Sequence, residues 1–94
     1  MDIISAQGIR EEIKLLIIET LNIRNIKPEE VDENIPLFSK ENILNLDSID
    51  GIELIMAIQK KYDVRIGDQN LARNVLESVN SITEFVIREI KNKS

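Results

Sequence analysis

The sequence lacks two residue types on which much enzyme chemistry depends. It contains no cysteine, which excludes a disulfide framework, a thiolate nucleophile and a sulfur-ligated metal site. It also contains no histidine, the commonest general base near neutral pH and the usual partner of a nucleophilic serine. We therefore expect the chain to hold no metal and to perform no catalysis on its own.

Aromatic side chains are scarce, and an excess of positive charge and long apolar runs are missing. Phe38, Tyr62 and Phe85 are the three aromatic residues, so a core must come mainly from Ile, Leu and Val. The net charge of -5 repels a phosphate backbone. No apolar segment approaches the roughly 20 residues that span a bilayer, and the N-terminal residues lack the pattern of a secretory signal. We expect no nucleic-acid partner, no membrane insertion and a cytoplasmic location.

What remains is the composition of a small folded chain. Hydrophobic residues make up 43% of its 94 residues and charged residues 31%. Because a chain of this size closes one apolar core but rarely two, we expect a single domain over residues 1–94. In the first predicted helix the apolar positions recur at helical spacing, and Lys14 falls on the polar side.

The same periodicity predicts three longer helices and a short third one. The longer helices cover about residues 4–21, about residues 48–62, and a last segment that Ser78 or Ser81 caps; the short one covers residues 71–76. Residues 64–66 alone would fit a short strand, but no strand alternation extends further. We predict an all-α fold, a four-helix bundle.

The connection from residue 22 to residue 47 is too long for an ordinary loop between helices. It carries apolar residues throughout, which predicts an ordered loop packed across the bundle. These residues are Val31, Ile35, Leu37, Phe38, Ile43, Leu44 and Leu46.

The helix predicted over residues 48–62 has two apolar groups rather than one. The group assigned to the core comprises Leu54, Ile55, Ile58 and Tyr62, and the second comprises Ile49, Ile52 and Met56. The second group is either buried beneath the long loop or exposed for a partner. Asp50 and Glu53 lie beside it, so an exposed stripe would suit a basic, apolar groove.

Ser48 stands where this helix begins, and two roles fit that position. A serine there commonly caps the helix with its hydroxyl. The same position also favours a covalently attached phosphate, because backbone N–H groups and the positive end of the helix dipole face it.

Residues 46–66, LDSIDGIELIMAIQKKYDVRI, closely resemble the signature of acyl carrier proteins, whose modified serine opens the second helix in a D-S-[LI]-[DE] motif. The likeness covers about twenty positions there. It extends more loosely to Pro36-Leu37-Phe38, which is similar to the loop of that family, and to residues 78–87, which are similar to its last helix.

The resemblance implies a 4'-phosphopantetheine arm on Ser48, transferred from coenzyme A by a magnesium-dependent phosphopantetheinyl transferase. Asp47, Ile49 and Asp50 would complete the attachment motif. Asp47, Asp50 and Glu53 would face basic patches of acyl-transferring, condensing and reducing enzymes. Ile49, Ile52 and Met56 would border the acyl pocket or touch those partners. It further implies a monomeric carrier whose cargo hangs on the arm's thiol.

Several positions depart from the family pattern. The usual glycine just before the motif is missing, Gly51 stands where threonine or alanine is more frequent, and Gln59, Lys60 and Lys61 replace frequent acids. These departures suggest a specialised carrier rather than one of housekeeping fatty acid synthesis. Fatty acyl or polyketide cargo is favoured by E-L-I-M-A-I at residues 53–58. A carrier of aminoacyl cargo and an unmodified helical interaction module remain the alternatives.

Overall fold

The computed structural model describes residues 5–93, and within them the chain forms four α-helices and one turn of 3-10 helix. The helices are α1 (Ala6–Thr20), α2 (Ser48–Tyr62), α3 (Gln69–Val75) and α4 (Val79–Lys93), with the 3-10 turn at Pro28–Glu30. The all-helical prediction is confirmed, and residues 64–66 do not form a strand. Residue 4, assigned to the first helix, lies outside the described part. No helix within that part is long and apolar enough to cross a membrane.

Local hydrogen bonds set where the helices begin and end. Ser5 caps α1 by accepting from the Gly8 N–H at 3.1 Å. Ser78 and Ser81 form a reciprocal cap at the start of α4, each hydroxyl accepting from the backbone N–H of the other residue. At the end of α2, Asp63 adopts the left-handed conformation with φ of 54°, which stops the helix.

The core fills the space between α1, α2 and α4. Ile13 and Ile17 of α1 are at most 1% exposed, as are Leu54 and Ile58 of α2. Val79, Ile82, Phe85 and Val86 line the buried face of α4. The group of α2 that was assigned to the core is therefore buried or half-buried, which fixes the orientation of α2 and turns its opposite face outward.

The long loop packs on the bundle as predicted, except that Phe38 and Ile43, two of its seven apolar residues, stay exposed. Val31, Leu37 and Leu44 are 0 to 6% exposed. The Leu37 N–H donates to the Glu77 carbonyl at 2.8 Å, and the Asn80 N–H donates to the Glu33 carbonyl at 3.2 Å, so backbone bonds tie the loop to the start of α4. The loop is consequently part of the fold.

Lys14 corrects the sequence-based assignment, because it lies buried rather than on the polar side of α1. Its side chain is 6% exposed, and Nζ donates to Glu33 Oε2 at 2.9 Å and pairs with Glu11 Oε2 at 3.1 Å. Burial lowers the pKa of Lys14, but the bonds to both carboxylates outweigh it and raise the pKa above its ordinary 10.5. The loop residue Glu33 thus supplies the charge that lets α1 bury a lysine.

Candidate functional site

The start of α2 is held by a capping box, and Ser48 is not the cap. Asp47 is the N-cap residue: the Asp50 N–H donates to Asp47 Oδ1 at 3.0 Å, and the Asp47 N–H donates to Asp50 Oδ2 at 3.0 Å. Such a cap stabilises a helix by roughly 1 kcal/mol. The capping role considered for Ser48 is therefore wrong, because Asp47 fills it.

Ser48 occupies the first helical position and is exposed. Its hydroxyl forms no hydrogen bond with any residue between 5 and 93, so no structural task holds it. The neighbouring backbone N–H groups and the positive end of the α2 dipole favour a negative group at this position. The site therefore fits a phosphodiester on Ser48 both sterically and electrostatically.

The second apolar group of α2 faces solvent. Ile49, Ile52 and Met56 are 67%, 63% and 64% exposed, which decides between the two alternatives for this stripe. Asp50 is half-buried and Glu53 exposed on the same two turns. The start of α2 thus brings together the candidate attachment residue, an apolar stripe and acidic side chains, an arrangement that suits a basic and apolar partner surface.

A cleft of about 470 Å³ lies between α2 and α3, and Ser48 is one of its lining residues. It is lined mainly by apolar residues, with Ser48, Gln69 and Arg73 as polar members. The lining residues are Phe38, Ser48, Gly51, Ile52, Ile55, Gln69, Ala72, Arg73 and Leu76. The candidate attachment residue therefore borders an apolar cleft as well as solvent.

Sequence reasoning missed two parts of this site. One is Phe38, whose ring packs against Gly51 in the lining of the cleft. The other is the contribution of α3 through Ala72 and of its C-cap residue Leu76. A usable signal did exist for the first, since a glycine inside a helix is unfavourable and calls for a reason such as close packing.

Comparisons with known proteins agree with this geometry. Residues 11–86 match the phosphopantetheine attachment site family. The chain is 30% identical to an acyl carrier protein of Thermosynechococcus vestitus over 82 residues, which cover 87% of this chain and 91% of the relative. It is 30% identical to an acyl carrier protein of Wolinella succinogenes over 79 residues, 84% of this chain and 93% of the relative. An acyl carrier protein of Cyanidium caldarium is 36% identical over 53 residues, 56% of this chain and 59% of the relative.

The bundle and the family match together define a helical phosphopantetheine-attachment domain. The chain belongs to the acyl carrier protein family. Its cofactor is accordingly 4'-phosphopantetheine, and its role is that of a carrier whose chemistry belongs to partner enzymes. Both the family and the cofactor were predicted from the sequence, and both are confirmed.

Proposed function

We propose that Ser48 is the attachment residue and that the chain, as one monomeric domain over residues 1–94, carries acyl intermediates on the arm. The observation that carries this proposal is the exposed Ser48 hydroxyl at the start of α2, which makes no hydrogen bond within residues 5–93 because Asp47 provides the cap. A hydroxyl with no structural task is accessible to a transferase. The Asp47 and Ile49 neighbours complete the attachment motif.

In the proposed loading step, Ser48 Oγ attacks the phosphorus of coenzyme A that bears the pantetheine. The new Oγ–P bond forms as the P–O bond to the nucleotide portion breaks, and the hydroxyl proton passes to a base of the transferase. The start of α2 favours the resulting negative phosphodiester. When bound, the arm supplies a terminal thiol that holds the cargo as a thioester.

We propose fatty acyl or polyketide cargo in a specialised pathway, delivered to acyl-transferring, condensing and reducing enzymes. The apolar cleft beside Ser48 supports acyl over aminoacyl cargo, since it offers little to pair with a charged amino group. Lys60 and Lys61 interrupt the acidity of α2 toward its end, which supports partners that differ from those of a uniformly acidic carrier. Ile49, Ile52, Met56 and the acids Asp50 and Glu53 would form the docking surface.

Mass spectrometry tests the attachment directly. Purified apo chain, incubated with coenzyme A, magnesium and a broad-specificity transferase, should gain the mass of one phosphopantetheine. Ser48→Ala should abolish the gain, whereas Ser39→Ala, which removes a serine of the long loop, should keep it. A gain that persists in Ser48→Ala, or that maps to another residue, would refute the proposal.

The rival function, an unmodified interaction module, draws on the exposure of the same apolar stripe. Under that function Ser48→Ala keeps the biological activity and Glu53→Lys destroys it. Glu53 is the better choice than Asp50 for charge reversal, because Asp50 also completes the capping box and its loss would weaken α2. Under the carrier function both variants lose activity, since the arm and the docking surface are both needed.

A further inference from the structure

The cleft between α2 and α3 has one charged side chain in its lining, that of Arg73. Arg73 is exposed, and it forms no ion pair and no side-chain hydrogen bond with any residue between 5 and 93. The fold therefore assigns its guanidinium no internal partner, and the charge is available to an anion at the cleft.

Two cavities that adjoin the cleft show toward which end of it Arg73 lies. One, of about 580 Å³, shares Phe38, Arg73 and Leu76 with the cleft. The other, of about 300 Å³, shares Gln69 with the cleft but not Arg73. The two polar residues that α3 contributes, Gln69 and Arg73, therefore lie toward opposite ends of the cleft.

Ser48 lies at the same end of the cleft as Arg73. A β-carbon built on Gly51 would lie 3.2 Å from Phe38 Cζ and 3.6 Å from Leu76 Cδ1, so both residues pack against the first turn of α2. Ser48 begins that turn, three residues before Gly51, and residues three apart share one face of a helix. Arg73 likewise precedes Leu76 by three residues. Ser48 and Arg73 therefore border the same part of the cleft.

The start of α2 has acids but no cation of its own. Asp47 and Asp50 flank Ser48, and neither carboxylate is in an ion pair with a residue in the described part of the chain. A phosphodiester on Ser48 adds a negative charge beside them, and the helix dipole offsets only part of the repulsion. Residues 48–59 contain no lysine or arginine. A balancing cation has to come from another element, and Arg73 is the cation in the cleft lining.

We propose that Arg73 binds the prosthetic arm: its guanidinium pairs with the phosphodiester on Ser48 and anchors the base of the arm to α3. The inference rests on the proposed function, because the phosphodiester has to be attached at Ser48. Arginine suits this role, since its planar fork donates two parallel hydrogen bonds to two phosphate oxygens. Attachment of the arm would thus create a new contact between α2 and α3.

Phosphorus NMR of the loaded chain tests the pair at the phosphate itself. In the natural chain, the phosphodiester resonance should move when NaCl is raised from about 20 mM to about 500 mM, because salt screens an exposed ion pair. Arg73→Gln removes the charge and keeps a good helix former. In that variant the same change in salt should move the resonance much less.

Thermal unfolding measures the strength of the pair. The unfolding midpoint of the loaded chain minus that of the apo chain is compared between variants, so that any effect of a substitution on the apo fold cancels. This difference should be larger in the natural chain than in Arg73→Gln by about 1 to 6 °C, as expected for an exposed ion pair. Arg73→Lys, which keeps the charge but not the fork, should retain part of it. Arg73→Glu should lower it below the value for Arg73→Gln, because glutamate repels the phosphodiester.

Arg65→Gln is the matched control. Arg65 is also exposed, forms no ion pair among residues 5–93, and lies outside the lining of the cleft. Since its removal changes the net charge by the same amount, Arg65→Gln should keep the phosphorus resonance and the midpoint difference of the natural chain. Equal effects of Arg65→Gln and Arg73→Gln would show that net charge is responsible and would refute a specific pair.

The mass of the loaded chain separates this inference from the proposed function. If the natural chain and Arg73→Gln both gain phosphopantetheine at Ser48 but share one phosphorus resonance and one midpoint difference, the pairing is refuted and the carrier function stands. If neither gains mass at Ser48 with any transferase, the carrier function fails and the pairing fails with it.

Discussion

Two regions of the molecule depart in opposite ways from the usual burial of apolar side chains and exposure of charged ones. On the outer face of α2, Ile49, Ile52 and Met56 stay in solvent although they are large and apolar. Where α1 meets the long loop, Lys14 is buried although it is charged. Exposed apolar residues are available for binding, whereas a buried charge requires partners that fix the surrounding backbone. The first region is therefore available for the docking role proposed above, and the second stabilises the fold.

The acidic residues follow the same division. Glu11 and Glu33 are both in ion pairs with Lys14, and Glu33 also approaches Arg10 at 3.7 Å. On α2, by contrast, neither Asp50 nor Glu53 forms an ion pair with any residue in the described part of the chain. Their charge is not neutralised internally and remains available to a basic partner surface.

The largest expected effect is the difference in stability between variants on the buried and the exposed face of α2. Ile58→Ala removes a side chain that is 1% exposed and should lower the free energy of unfolding by about 2 to 5 kcal/mol. Ile52→Ala, at 63% exposure, should change it by less than about 0.5 kcal/mol. Urea denaturation followed by circular dichroism measures both.

In loading by the transferase, Ile52→Ala should have a larger effect than Ile58→Ala, the reverse of their order in stability. Ile52→Ala should lower kcat/KM for loading by the transferase, since a docking contact is lost, while its stability is retained. Equal loading kinetics for Ile52→Ala and the natural chain would remove Ile52 from the docking surface. A loss of stability as large as that of Ile58→Ala would show that Ile52 contributes to the core.

A smaller effect is expected from the buried lysine. Glu33→Ala leaves Lys14 with Glu11 alone, and we expect a loss of about 1 to 3 kcal/mol, since Glu33 is partly exposed and one carboxylate remains. Lys14→Met should cost less, because an apolar side chain of similar length removes the need for a partner. Thermal and urea unfolding of both variants and their double mutant measure the coupling.

The opposite order of stabilities for these two variants would contradict this account of the buried lysine. A Lys14→Met variant less stable than Glu33→Ala would mean that the ion pair itself, rather than the avoidance of an unpaired charge, stabilises the loop. Arg24→Ala, which removes an exposed cation without an ion pair among residues 5–93, is the matched control and should be neutral.

The position of α2 was predictable because its ends carry strong local signals. Asp47 and Asp50 form a capping box, and Asp63 can adopt the left-handed conformation that ends a helix. The packing of the long loop was also predictable from its apolar residues, although Phe38 and Ile43 stay exposed. The exposure of Ile49 and Ile52 was not, because periodicity shows that two faces are apolar without showing which of them the loop covers.

Contacts between distant residues account for what the sequence did not reveal. The sequence pattern predicts that Lys14 is exposed. Only the fold brings Glu33, nineteen positions away, within hydrogen-bonding distance of it. The contact of Phe38 with Gly51 likewise depends on where the loop crosses α2. Helix propensity marks Gly51 as unusual. It cannot identify Phe38 as the residue whose ring packs where a β-carbon on Gly51 would lie.

The smallest expected effect concerns a polar contact between α1 and α2. Tyr62 Oη donates to Glu12 Oε1 at 3.0 Å, and half-burial together with that carboxylate raises the pKa of Tyr62 well above its ordinary 10.0. Above pH 10 the unfolded chain loses this phenol proton while the folded chain keeps it, so stability falls as the pH rises. Tyr62→Phe should flatten that fall and cost about 0.5 to 1.5 kcal/mol at neutral pH.

Lys14 also has a raised pKa and contributes a fall of the same sign that begins above its ordinary 10.5. Comparing Tyr62→Phe with Lys14→Met in urea titrations between pH 8 and 12 separates the two groups. The tyrosine variant should depart from the natural chain at the lower pH, and by less than the roughly 1.4 kcal/mol per pH unit of a single group, because Tyr62 is partly in solvent. Identical pH profiles for Tyr62→Phe and the natural chain would show that the Glu12 contact does not persist in solution.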